Sequence, residues 1–190
     1  MDEHTDRLTQ ARQAHAAQDW ATAASHFDAV AAARLTADDL AAYADAVWWL
    51  GRIEDNLRLN AAACEAFLTD ARPVEAAGAA LVLGVFHLAR GDEPQGAGWI
   101  GRAGHLLEGI PECPVHGYLL QTEVEASLLA GQPAAAVDAA RRMQDLGRRL
   151  DQPDLKLLDI HAVGDHNRVL RHAQTLELGL CNGRQHYQRV

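Results

Sequence analysis

Strand-forming sequence is what this chain most lacks. Runs rich in Val, Ile, Thr, Tyr and Phe are missing, and aromatic residues make up only 5% of the 190 positions. A sheet-built core is therefore not expected. The three cysteines, Cys64, Cys113 and Cys181, are an odd number without a Cys-x-x-Cys pair. They suggest neither a disulfide framework nor a zinc ribbon, and they fit a reducing compartment. A membrane span needs roughly 20 apolar residues. The most apolar stretch, 74–89, is shorter and is interrupted by Glu75 and His87. No membrane contact is expected. The start, Met-Asp-Glu-His-Thr-Asp, is acidic with no apolar run behind it, so it does not read as a signal peptide. A cytoplasmic location is expected.

Positive charge is also short. The formal net charge is -9, and an acidic chain repels phosphate backbones, so direct nucleic-acid binding is disfavoured. Arg141, Arg142, Arg148 and Arg149 form the best basic cluster, but Asp138, Asp145 and Asp151 lie among them. A salt-bridged, solvated helix face is the expectation there. Ser25 and Ser127 are the only serines and both fall in helical segments. There is no Gly-x-Ser-x-Gly elbow and no Gly-x-x-x-x-Gly-Lys phosphate loop.

What the chain does have is alanine, 37 residues of it, within a 48% hydrophobic composition. Alanine loses no side-chain entropy in a helix and lets helix backbones approach closely. Short breaks recur at Gln18-Asp19, Gly51-Arg52, Gly91-Asp92, Gly131-Gln132 and Gly164-Asp165. Glycine suits the left-handed residue that ends one helix; Asp or a following Pro suits the start of the next. The breaks predict five antiparallel hairpins: 4–17 with 20–33, 37–50 with 53–69, 73–90 with 94–109, 115–130 with 133–149, and 152–163 with 166–180. Thr36 is the expected cap of the third helix, and Ile-Pro-Glu-Cys-Pro at 110–114 separates the third and fourth pairs. One helical-repeat domain over 1–180 and a polar tail over 181–190 follow. A lone hairpin cannot bury its apolar face, so neighbours must stack. A closed helical bundle is the competing architecture.

The third hairpin carries Leu83-Gly84, Gly91-Asp92, then Gly96, Ile100 and Ala103; the first carries Asp19-Trp20, Ala23, Phe27 and Val30. These resemble the tetratricopeptide repeat, which implies an all-α, right-handed superhelix of about five hairpins. The second hairpin departs with Asn56 and Asn60 at packing positions, and the fourth has Glu123-Val124 in place of Leu-Gly. Two stretches, Ala-Val-Trp-Trp-Leu-Gly-Arg-Ile-Glu at 46–54 and Gly-Trp-Ile-Gly-Arg-Ala-Gly-His-Leu-Leu-Glu-Gly at 98–109, are similar to the helical-repeat region of actinobacterial LuxR-type and cyclase-linked regulators. That similarity covers roughly 40–155 and implies a sensing or relaying role in signalling or transcriptional regulation.

The repeat resemblance implies that first helices line a concave groove. Its register places Asp45, Trp48 and Trp49 there from the second hairpin, Leu81, Val85 and Leu88 from the third, and Tyr118, Gln121 and Glu125 from the fourth. An aromatic, apolar floor with acidic sides suits a protein or peptide carrying apolar anchors and a basic residue. Successive helix positions lie about 100° apart, so one of Trp48 and Trp49 can be core while the other faces the groove. Trp20 and Trp99, in second helices, read as packing residues. The expectation is a non-catalytic binding scaffold with no metal and no cofactor.

Two alternatives are a domain that closes on a small molecule and a metal-dependent helical enzyme. The candidate metal ligands are Asp159, His161, Asp165 and His166, with Cys113-x-x-His116 as a second pair. Solvated or capping histidines are the simpler account of both. Val169, Leu170, Leu176, Leu178 and Leu180 exceed one helical stripe. An exposed apolar end there would support a homodimer through the last hairpin.

Overall fold

The computed structural model describes residues 3–152 and Leu155. Among these, eight α-helices and a single 3-10 turn are present and no strand. The helices are α1 (Glu3–Ala16), α2 (Trp20–Asp28), α3 (Ala37–Trp49), α4 (Ile53–Thr69), α5 (Pro73–Ala89), α6 (Glu93–Leu106), α7 (Pro114–Leu129) and α8 (Pro133–Arg149). The last predicted hairpin and the tail lie outside the described residues, apart from Gln152 and Leu155. No helix among the described residues is long and apolar enough to cross a membrane. The chain divides into two compact units, Met1–Leu106 and Leu107–Val190. The division falls next to the Ile-Pro-Glu-Cys-Pro separator at 110–114.

One corner geometry recurs through both units. At the end of α3 the Gly51 N–H donates to the Trp48 carbonyl at 2.8 Å and the Arg52 N–H to the Val47 carbonyl at 2.9 Å. The same pair of bonds closes α1 (Gln18, Asp19), α4 (Ala71, Arg72), α5 (Gly91, Asp92), α7 (Gly131, Gln132) and α8 (Asp151, Gln152). This is the Schellman closure, which needs one residue with positive φ. Gly51, Gly91 and Gly131 take it at 71°, 79° and 68°, but Gln18, Ala71 and Asp151 take it too, at 59°, 55° and 51°. Between 51 and 151 the corners therefore come about every 20 residues, with the 110–114 loop replacing one of them.

Two predicted helices end early. The α2 helix stops at Asp28 instead of 33, and a 3-10 turn at Ala32–Arg34 follows. A carboxylate at a helix C-terminus opposes the dipole; Asp28 is instead drawn to the Tyr43 hydroxyl and to Arg52, whose Nη1 lies 2.9 Å from its Oδ2. The α6 helix stops at Leu106 instead of 109, ahead of Gly109 at φ 75°.

In the first unit, first helices adjoin first helices. Arg12 of α1 forks onto the Asp39 carboxylate of α3 at 2.7 and 2.8 Å. Trp48 of α3 meets Phe86 of α5 with ring centroids 4.7 Å apart. Second helices are linked in turn by the Arg102–Glu65 pair between α6 and α4, at 2.8 Å. Side-chain chemistry differs between the hairpins. The α3/α4 pair buries Asn56, whose Nδ2 donates to the Ala44 carbonyl at 2.9 Å, and Asn60, whose Nδ2 donates to the Asn56 carbonyl at 3.0 Å. The α5/α6 pair crosses at Gly84 and Gly96, so closely that a Cβ on Gly84 would lie 2.5 Å from Ile100 Cγ1 and 3.1 Å from the Gly96 carbonyl oxygen.

The second unit contains α7 and α8. Val124 packs with Ala136, Ala139 and Ala140, and Leu128 covers them. Leu155 is buried against Gly117. Arg149 forks onto Glu112 at 2.7 and 2.9 Å.

Candidate functional site

The first corner positions an aromatic cluster. Asp19 caps α2, its Oδ1 accepting from the Thr22 N–H at 3.1 Å. That cap starts α2 at Trp20 and returns the indole over the last turn of α1, edge-on to His15 with centroids 5.5 Å apart. Trp49, the last residue of α3, stacks on Trp20 at 5.8 Å with the rings 13° from parallel. Asp45 lies one turn before Trp49 on the same helix face, and its Oδ2 is 3.5 Å from His15 Nε2. Trp49 nevertheless keeps 42% of its surface exposed. Trp48 turns inward: with Phe86 it belongs to a cluster that includes Leu57, Leu83, Ile53 and Trp99.

The exposed apolar bulk has a pattern. The large hydrophobic side chains exposed among the described residues are Trp49 (42%), Leu50 (42%), Leu88 (40%) and Leu129 (78%). All four sit in the last turn or at the cap of a first helix: α3, α5 or α7. Leu88 lies over Gly96, where a Cβ would come within 2.6 Å of it.

The nine residues projected into a groove thus separate. Trp49 and Leu88 are exposed, Asp45, Trp48 and Val85 are half-buried, and Leu81 is core at 1% exposure. Leu81 fails as a surface residue because it sits one turn deeper along α5, among the buried alanines Ala76, Ala77, Ala79 and Ala80. Tyr118, Gln121 and Glu125 belong to the second unit; Tyr118 and Gln121 are buried and Glu125 half-buried. Burial pushes the Glu125 carboxyl up to about 7, against a weak hydrogen bond from Gln121 Nε2 at 3.5 Å. His15, Trp20, Leu50 and Leu129 were not in the projected set. A signal for Trp20 existed in its place directly after a corner. His15 had none, since its role depends on the crossing of α1 and α3.

Asp39 is the other carboxylate with unusual surroundings. It is 2% exposed. Its Oδ2 accepts from the Thr36 N–H at 3.1 Å while its own N–H donates to Thr36 Oγ1 at 3.2 Å, a reciprocal helix cap. Burial opposes its ionisation, but the hydrogen bonds from Arg12 and Thr36 outweigh burial and hold the carboxyl below its ordinary range. This is a structural device.

Three of the four arginines of α8 are paired: Arg142 with Glu123 and Asp138, Arg148 with Asp145, Arg149 with Glu112. Cys113 caps α7, its Sγ 3.3 Å from His116 Nδ1. Among the described residues no group of three or more His, Cys, Asp or Glu is placed to hold a metal ion. The candidates Asp159, His161, Asp165 and His166 lie outside the described residues. No protein-family model, curated protein or solved structure matches this chain.

Proposed function

We propose that this protein is a non-catalytic helical-repeat scaffold that binds a protein or peptide segment through the ends of the first helices α3 and α5 of its first unit. The observation that carries the reading is the confinement of exposed apolar bulk, among the described residues of the first unit, to the C-terminal ends of α3 and α5, with Trp49 presented on the Trp20 stack. Exposed aromatic anchors beside partly buried neighbours are the usual energetic centres of protein interfaces. The tetratricopeptide-like reading of the hairpins supports the same use. The resemblance to regulator repeat regions adds the expectation of a relay role in signalling or transcriptional regulation.

The test is selection of a displayed random-peptide library on the immobilised protein, repeated with Trp49→Ala. Peptides that bind the wild type and are lost with Trp49→Ala support the reading. A selection yielding no peptide that distinguishes the two proteins, with Trp49→Ala folded by circular dichroism, overturns it.

A further inference from the structure

We infer that the segment bound at the α3 end presents an arginine or lysine, whose cationic head sits on the open surface of Trp49 beside Asp45. The inference rests on the peptide-binding reading and specifies the chemistry of its partner. Three observations converge. First, Trp49 is stacked on Trp20 on one side and still 42% exposed. An indole face attracts cations, and arginine most readily adds planar stacking to that attraction.

Second, the last turn of α3 contributes no cation, and the basic group beside Asp45 is His15 of α1. A helix C-terminus carries partial negative charge and favours a basic group in the last turn. Among the first helices, the last turns of α1 and α5 have His15 and His87, while those of α3 and α7 have no basic residue. Arg52, the nearest cation along the chain, is committed to Asp28 and Asp55, at 2.9 and 2.7 Å. Third, the acidic groups of the cluster favour the same sign. Asp45 shares the face of Trp49, with His15 Nε2 3.5 Å from its Oδ2; Asp19 is exposed at the neighbouring corner, and the whole chain carries a net charge of -9. The apolar neighbours for such a residue's partner segment are Leu50 on α3's cap and the stem-binding surface of Trp49 itself.

The experiment uses the peptides whose binding depends on Trp49. Each is resynthesised with every arginine replaced in turn by citrulline and every lysine by acetyl-lysine, which keep shape and remove charge. Fluorescence anisotropy then gives Kd against wild type, Trp49→Phe and Asp45→Asn. One replacement in each peptide is expected to weaken binding by about tenfold or more. Asp45→Asn is expected to weaken the charged peptide and leave its neutral form unchanged. Trp49→Phe, a smaller ring with the same fold, retains part of the preference. Trp49-dependent peptides that tolerate every neutral replacement overturn the cation while leaving peptide binding intact. Absence of any Trp49-dependent peptide removes both. A dimer in sedimentation that Trp49→Ala dissociates would identify a second copy as the occupant and overturn the inference.

Discussion

The second and third hairpins share a rhythm but not a chemistry. The α3/α4 pair buries polar groups, with Asn56 bonded across to the Ala44 carbonyl and Asn60 bonded to Asn56, while the Thr36–Asp39 cap starts α3 and the Arg12 fork ties it to α1. The α5/α6 pair is held by close approach, with Gly84 against Gly96 and a bed of alanines. What repeats is the backbone corner, whose hydrogen bonds are the same at Gly51, Ala71 and Gly91. Hence hairpins with one corner geometry can form without a side-chain consensus. Each hairpin needs only a corner and some way to bring two helices together.

The sharpest way to break this contrast is at the glycine crossing. Gly84→Val adds carbon where a Cβ already meets backbone at 3.1 Å. It should cost about 3 kcal/mol in denaturant unfolding. A loss below about 1 kcal/mol would mean that α6 moves aside easily.

In the polar hairpin the corresponding change is Asp39→Asn, which removes the charge and weakens the fork and the cap together. It should cost about 2 kcal/mol near neutral pH. The sign follows from the depressed Asp39 carboxyl. Its contribution is fully present above the unfolded value, about 3.9, and disappears as pH falls through the folded one. The variant should therefore lose less stability than wild type on acidification. Parallel acid limbs for the two proteins would refute this.

Glu125, in the second unit, is the opposite case. Its carboxyl is raised to about 7, with burial as the cause. The folded state then holds a proton that the unfolded chain releases near 4.3, an approximate reference value. Stability should fall as pH rises between the two values. Glu125→Gln should remove that slope and stabilise the protein at pH about 8 by about 1–2 kcal/mol. Equal unfolding midpoints from acid to mild alkali would show that Glu125 stays solvated.

The smallest expected effect separates glycine corners from the others. Ala71 adopts φ 55° where Gly51 and Gly91 do so freely. Ala71→Gly should stabilise by about 1 kcal/mol, because a Cβ is disfavoured in that conformation. Destabilisation would mean that the gain in unfolded-chain entropy prevails.

The helices were legible because their signals are local. The ranges predicted for α3, α4, α5, α7 and α8 match to within about a residue at each end, since Thr36, Pro73, Pro133 and the corner glycines mark them within a few positions. Corners at Ala71 and Asp151 carried no glycine and were read only as gaps between hairpins. The site was legible in part: Trp49 and Leu88 were projected onto a working face and are exposed, while Leu81 was projected there and is core.

The sequence by itself determined that the described chain is helical, where most of its helices start and stop, and that its corners force antiparallel neighbours. These follow from backbone propensity and from hydrogen bonds between residues a few positions apart. Only the tertiary structure decided which of two adjacent tryptophans turns inward. It alone brought His15, Trp20, Asp45 and Trp49 together from three helices. Those contacts depend on how α1 crosses α3, which is set by the summed packing of many small side chains and is written in no single motif.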